Sequence, residues 1–425
     1  MNLIPILSES EYQNIRSDNW PEYSQVMDGI KASNEIDQQA INQAFDQGLE
    51  RYLEQNRNDE IAEGNRHSQR QVFFDKHVVG NRHCRRPWQT LGVNSFGDVF
   101  ICISPAWIPK FAGNILASND IFNILNSSKA RAIRNEIMNN RYYFCNFNLC
   151  GYTRNLTSDQ FSKAATSYED LQPLTFINQP DTVTLTEIPR DIIFDFDHTC
   201  NYKCPSCRSE LINYNKHPII APLNKKIAEK AKTMIIDKIG SQPIEIRWAG
   251  GEPFISRAYL DLMEYTIQRH PHGNVKHCIQ TNGSYLKSRD HLVQRLLPHM
   301  SELRISFDAA TADTYHKIRV NGIWDNLMEN VQWVMDVIQR NNFPVRVSAD
   351  FVVQKQNFKE IVQFKQLVNS MGIQQINYQR MWNWSTWSQE EFDANNVYHH
   401  NHPDYDELID QLRQVNWRHI PVDRR

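Results

Sequence analysis

Between residues 188 and 390, six short apolar runs alternate with helical stripes, and no other feature of the sequence restricts the fold as strongly. The runs cover residues 191–196, 244–248, 275–280, 302–307, 345–353 and 374–378. Each is short and bounded by polar or turn-forming residues, which favours strands. Between them, Tyr259, Leu262, Met263, Thr266 and Ile267 recur at helical spacing, as do Trp324, Leu327, Val331, Val334, Met335 and Ile338. The pattern predicts an α/β fold with a parallel sheet, and six units suit a partial (β/α)6 barrel over residues 186–395.

In folds built from such units the chemistry sits on the loops that follow the strands. The first run is followed by Cys200, Cys204 and Cys207 at CxxxCxxC spacing. Three thiolates on one tight loop can hold three irons of a four-iron cluster and leave the fourth open to a ligand. After the second run come Gly250, Gly251, Glu252 and Pro253, where the glycines permit close backbone approach to a ligand and Glu252 offers an acceptor. The third run leads into Thr281, Asn282 and Gly283, and the fourth ends near Ser306 and Asp308, followed by Arg319. Singly, each is a common turn. In order and in register with the strands, they mark one end of the sheet as the functional end.

The chain has 425 residues, 40% of them hydrophobic and 22% charged, with a formal net charge of -3. That balance and the lack of a basic run argue against nucleic-acid binding. The first residues carry no positive n-region, no apolar run approaches a membrane span of roughly 20 residues, and a cytoplasmic, reducing location is expected. There the eight cysteines are not expected to pair as disulfides. Besides the three on the loop and Cys278, they form a second group, Cys84, Cys102, Cys145 and Cys150. Two short strands with a turn at residues 95–98 and the second strand ending on Cys102, a helical stretch from Ile121 to Ile137, and a closing loop could bring these four together. Four thiolates suit structural zinc or a fully ligated iron-sulfur cluster. Upstream, Ile36, Ala40, Ile41, Ala44, Phe45, Leu49, Tyr52 and Leu53 predict an amphipathic helix, and residues 54–70 read as a linker.

The run of Cys84, Pro87-Trp88, Cys102, Gly113-Asn114-Ile115, Asn126-Ser127-Ser128 and the closing cysteine pair resembles the SPASM/Twitch auxiliary-cluster domain of radical S-adenosylmethionine (SAM) enzymes. The second half, over about 200 residues, resembles the radical SAM superfamily through CxxxCxxC, GGEP, TNG, the region from Ser306 to Arg319, and residues 352–357. The resemblance implies a small α+β auxiliary-cluster domain over residues 76–160 and the radical SAM partial barrel over 186–395, with the residue pattern giving a helical segment over 1–75 before them and a closing helix with tail over 396–425. It also implies two [4Fe-4S] clusters, one SAM-binding and held by Cys200, Cys204 and Cys207, the other auxiliary and held by Cys84, Cys102, Cys145 and Cys150.

By the same resemblance, SAM chelates the open iron and Gly250 to Pro253 contact its methionyl amine. Ser306 and Arg319 bind its ribose and carboxylate end, and Asn282 supports the pocket. Arg319 suits the carboxylate because a guanidinium can meet it bidentately. The family usually has an aromatic residue before the third cysteine, where this chain has Ser206, which removes a stacking partner for adenine. The implied reaction is reductive cleavage of SAM to a 5′-deoxyadenosyl radical that abstracts hydrogen from a substrate, with the auxiliary cluster relaying electrons. Implied partners are SAM, a substrate and an electron donor such as flavodoxin or ferredoxin. A peptide or protein side chain is the favoured substrate, a small molecule such as a sugar, nucleotide or cofactor precursor the alternative, and a non-enzymatic metal-binding protein a third reading. No residue is singled out for the hydrogen abstraction itself.

Other residues that invite a catalytic reading have plainer ones. Cys278 in the third run suits a buried core position, and Asp195, Asp197 and His198 suit ordinary packing beside the loop. His399, His400 and His402 lie in an Asn-rich segment that reads as solvated, and Trp382, Trp384 and Trp387 suit aromatic packing after the last strand.

Overall fold

The computed structural model describes residues 84–105, 107–108, 110–138, 144–145, 150, 183–384 and 386–415, with backbone alone at 83 and 171–172. The helix expected around residues 36–53, the linker at 54–70 and residues 146–149 of the closing cysteine loop lie outside the described residues. The chain forms two compact units, one of Met1–Thr90 with Asp98–Thr186, the other of Leu91–Gly97 with Glu187–Arg425.

In the first unit, β1 (His83–Cys84) pairs antiparallel with residues Leu171–Gln172. With β2 assigned to Thr90–Asn94 in chain order, β3 (Asp98–Phe100) pairs antiparallel with β4 (Gly113–Asn114), and Leu171–Gln172 is β5. The sequence predicts that the strand reaches Cys102, but β3 stops at Phe100. Its two-residue partner meets only Asp98 and Val99, so the ladder has nothing to pair beyond them. The single helical stretch expected from Ile121 to Ile137 is likewise two helices, Ile121–Leu125 and Ser128–Met138. Polar side chains break it. Asn126 exchanges two hydrogen bonds with the backbone of Leu185, at 2.8 and 2.7 Å, and Ser127 Oγ caps the second helix by accepting from Ala130 N.

Arg134 on that second helix is fully buried and donates to the carbonyls of Pro87, Leu125 and Val183 at 2.9, 2.7 and 2.8 Å. Burial lowers its pKa to about 10. It thereby joins both helices to the segment that follows Cys84.

In the second unit, β6 (Asp191–Asp195), β7 (Ile244–Trp248), β8 (Val275–Thr281), β9 (Met300–Ser306), β10 (Arg346–Val353) and β11 (Gln375–Arg380) form a parallel sheet in that order. β2 lies beside β6. Connecting helices include Ile220–Met234, Arg257–Arg269, Trp324–Asn341 and Ile361–Ser370. One face of the sheet is apolar: Phe194, Ile246, Trp248, Ile279, Leu303, Ile305, Ala349 and Phe351 are all buried. The helices supply Tyr259, 5.2 Å from Trp248 between ring centroids, and Phe364, 4.6 Å from Phe351. Burying one such aromatic side chain contributes about 1.5–3 kcal/mol.

The other face is polar. Parallel register aligns Arg247, Cys278, Glu302 and Arg346 in one row, and Ser306, Asp350 and Asn377 in another nearer the carboxyl ends. Buried Asp350 accepts hydrogen bonds from Gln280, Arg304 and Asn377, at 3.1, 3.3 and 2.8 Å. Parallel sheets packed on both sides are usually apolar on both, so this face is built for polar contact.

Candidate functional site

The site begins where β6 ends. The Tyr259 hydroxyl accepts from the N–H groups of Phe196 and Asp197 at 2.9 and 3.0 Å, with its own proton shared between the carbonyls of Phe194 and Ala249. Asp197 accepts from Thr199 N through one oxygen and from Ser256 Oγ, at 2.5 Å, through the other. Asp197 is thus a structural clamp at the root of the cysteine loop. The GGEP turn locks onto the same root, with Gly251 N donating to Asp197 O and Glu252 N to Thr199 O at 3.0 and 2.7 Å.

This changes the meaning of the two glycines. The sequence suggests that they make room for a ligand, whereas the space their missing side chains leave is taken by the chain itself. A Cβ on Gly251 would lie 2.0 Å from Thr199 O and 2.6 Å from two backbone carbons. One on Gly250, at φ +95°, would lie 2.8 Å from Asp197 O.

The loop is then shaped by backbone bonds. Cys200 N donates to Ile212 O at 2.7 Å, and Lys203 N to Val320 O at 3.0 Å. Cys204 O accepts from the N–H groups of Cys207 and Arg208, at 2.9 and 3.0 Å, a single turn that carries the last two cysteines. Cys204 is buried, Cys200 half-buried and Cys207 exposed.

Each of the three sulfurs faces one N–H donor. Tyr202 N lies 3.4 Å from Cys200 Sγ, Arg319 Nη1 lies 3.7 Å from Cys204 Sγ, and Arg208 Nη2 lies 3.5 Å from Cys207 Sγ. Burial pushes the Cys200 thiol up to about 11 and the Cys204 thiol upward as well. Donors aimed at these three sulfurs suit thiolates bound to metal, because a metal cation replaces the thiol proton. The donor set therefore fits a three-thiolate cluster.

The neighbouring strand ends converge on this loop. Glu252 is buried; one oxygen accepts from Thr281 Oγ1 and Phe254 N, at 2.7 and 3.2 Å, and the other from Asn282 N at 2.7 Å. Burial pushes its pKa up to about 7 against those donors. Asn282 donates to Asn201 Oδ1 at 2.9 Å, so TNG holds the residue next to Cys200. Pro253 and Ser306 are buried, the latter at the carboxyl end of β9.

Arg319 pairs with Asp308 at 2.8 Å. Burial opposes its charge, but Asp308 and Cys204 hold its pKa above the ordinary range. Its Nε is buried with no hydrogen-bond partner.

The sequence reading misses Arg208 and Asn201, and places Asp308 at the functional end without giving it a role. Arg208 could have been noticed as a cation directly after the third cysteine. Asp308, with φ 61°, also takes Val352 N on its other oxygen at 2.7 Å, and nothing in its sequence neighbourhood announces either feature.

In the first unit, Cys84, Cys102, Cys145 and Cys150 are all buried. Burial, then Cys150, pushes the Cys102 thiol up to about 12. Burial likewise sends Cys145 well above the usual thiol range, with Cys150, Cys84 and Cys102 adding to it, which marks the four as neighbours. Among the described residues, no three His, Cys, Asp or Glu side chains close around the position of a single metal ion.

Cys278 is buried on the polar sheet face, its Sγ 4.0 Å from Glu302 Oε2. His402 bonds the carbonyl of Ala394 and the N–H of Asp404, a local turn contact. Trp382 and Trp384 are 52% and 62% exposed, so the packing role expected for them is not what the structure shows. They follow β11 on a segment with no regular structure, and no ring contact joins them to the core among the described residues. Among the described residues no helix is long and apolar enough to cross a membrane.

Two stretches of the chain match family models. Residues 196–368 match the family model of the radical SAM superfamily, and residues 84–151 match SPASM, an iron-sulfur cluster-binding domain. A probable GTP 3′,8-cyclase of Saccharolobus solfataricus is 26% identical over 186 residues, which are 44% of this chain and 55% of that protein. An AdoMet-dependent heme synthase of Methanosarcina barkeri is 24% identical over 194 residues, 45% of this chain and 50% of that one. The chain thus spans about half the length of these curated relatives. Among solved structures, native anSMEcpe with bound AdoMet aligns over 45% of this chain and 51% of that chain, at 15% identity and a TM-score of 0.34.

Proposed function

Because this chain carries a radical SAM domain preceded by a SPASM cluster-binding domain, we propose that it is an enzyme that reductively cleaves SAM and abstracts hydrogen from an organic substrate. The observation that carries the reading is the N–H donor facing each sulfur of Cys200, Cys204 and Cys207, on the loop that follows the first of six parallel strands. In this reading the six strands form a partial barrel with its active end at their carboxyl termini.

Cys200, Cys204 and Cys207 hold the SAM-binding [4Fe-4S] cluster, which when bound supplies the electron that splits SAM into methionine and the 5′-deoxyadenosyl radical. Gly250 to Pro253 support the methionyl amine by backbone and by Glu252. Asn282 stabilises the loop through Asn201, and Ser306 faces the ribose end. Arg319, held by Asp308, would supply the positive charge for the SAM carboxylate. Cys84, Cys102, Cys145 and Cys150 hold the auxiliary cluster, in the role of an electron relay. The external donor is a flavodoxin- or ferredoxin-like protein.

Two substrate readings stand. A peptide or protein side chain follows from the resemblance to SPASM-bearing enzymes. A small molecule is favoured by the names of the curated relatives, a GTP cyclase and a heme synthase. The polar sheet face around Arg304 and Asp350 suits a substrate with several hydrogen-bonding groups. Anaerobic reconstitution followed by iron, sulfide and zinc analysis tests the two-cluster reading. It is expected to give about eight irons per chain, whereas about four irons with one zinc would remove the auxiliary cluster.

A further inference from the structure

Two guanidinium groups touch the cysteine loop, and they differ in how their charge is balanced. Arg319 is neutralised by Asp308 at 2.8 Å. Among the described residues Arg208 forms no ion pair with a carboxylate, and the side chain it meets is Cys207, with Nη2 3.5 Å from Sγ. Its position is nonetheless well defined. Nη1 donates to His198 O at 2.9 Å, and Nη2 to Gly250 O at 3.3 Å and to Cys207 Sγ at 3.5 Å. The planar fork is therefore anchored on the loop root and on the GGEP turn, with an N–H directed at the one exposed cysteine of the three.

We propose that Arg208 is a positioning residue for the SAM-binding cluster, orienting Cys207 and supplying the uncompensated positive charge that sets how easily that cluster is reduced. The inference rests on the reading that Cys200, Cys204 and Cys207 hold a four-iron cluster. One-electron reduction makes the cluster and its thiolates more negative by one unit. A cation at hydrogen-bond distance from a ligand sulfur stabilises the reduced state more than the oxidised one. The electron comes from the external donor, and Arg208 is neither oxidised nor reduced. A guanidinium keeps its charge at every working pH, so the effect does not depend on a titration. Cys207 lacks the cover that Cys204 enjoys, so its sulfur most needs a fixed donor.

The test is a redox titration followed by electron paramagnetic resonance on the full chain with both clusters reconstituted, reading the signal that changes when SAM is added. The proteins compared are the wild type, Arg208→Lys and Arg208→Gln. Arg208→Gln is expected to hold about eight irons with a midpoint potential more negative than wild type, and Arg208→Lys to lie between the two. An unchanged midpoint in Arg208→Gln at full iron content overturns the proposal. So does loss of the SAM-responsive cluster from both variants, which would leave Arg208 only a role in folding the loop. If Arg208→Gln alone loses that cluster while Arg208→Lys keeps it at a shifted midpoint, the proposal stands. A wild-type protein with no SAM-responsive signal would instead refute the underlying cluster reading.

Discussion

Replacing Cys200, Cys204 and Cys207 together by alanine is expected to abolish 5′-deoxyadenosine formation while leaving the chain folded. Main-chain bonds shape the loop: Cys200 N to Ile212 O, Lys203 N to Val320 O, and the turn closed on Cys204 O. None of these needs a sulfur. Tyr202 is also held from outside, its hydroxyl 3.2 Å from that of Tyr315. Iron should therefore fall from about eight to about four per chain, with the far-ultraviolet circular dichroism of the wild type retained. Four irons left in the triple variant would belong to the first unit, where all four cysteines are untouched. A triple variant that still forms 5′-deoxyadenosine would remove these cysteines from the reaction.

The second large effect comes from one methyl group. Gly251→Ala would place a Cβ 2.0 Å from Thr199 O and 2.6 Å from the carbonyl carbons of His198 and Thr199. Both sides of that clash are backbone, so no rotamer change relieves it. Either the GGEP turn or the loop root must move, breaking Gly251 N to Asp197 O and Glu252 N to Thr199 O. Overpacking of this kind costs about 3 kcal/mol, and the displaced root carries Cys200 with it. Reduced cluster occupancy and a lower unfolding temperature are expected together. Gly240→Ala is the control. Its Cβ would meet only the side-chain oxygen of Gln242, which can swing away. If Gly251→Ala unfolds and binds iron like Gly240→Ala, the packing account of the GGEP turn fails.

That pair of glycines also shows where sequence reading stops. The period-two and helical patterns locate the strands well because burial sets them: residues 244–248 form a strand with the expected bounds, and the other five strands differ from expectation by no more than about two residues at either end. Motif order placed the cysteine loop, GGEP, TNG and Ser306 at the ends of successive strands for the same reason. What fills the space beside a glycine depends on residues some fifty positions away, and no local pattern records it. Arg208 and the role of Asp308 escape the sequence on similar grounds, since a hydrogen bond to Gly250 O or from Val352 N is fixed only by the packed sheet. In the first unit, the break at Asn126 was hidden because its partner is the backbone of distant Leu185. Cys278 is buried as expected, yet strand register sets it on the polar face, and a single strand cannot reveal which face its neighbours make polar.

The central claim is that this chain uses Cys200, Cys204 and Cys207 to cleave SAM reductively. Its most direct test is incubation of the anaerobically reconstituted wild-type chain with SAM and a strong reductant, followed by quantification of 5′-deoxyadenosine and methionine. The account predicts both products in equal amounts, dependent on reductant. Iron-replete protein that yields no 5′-deoxyadenosine under those conditions would contradict it.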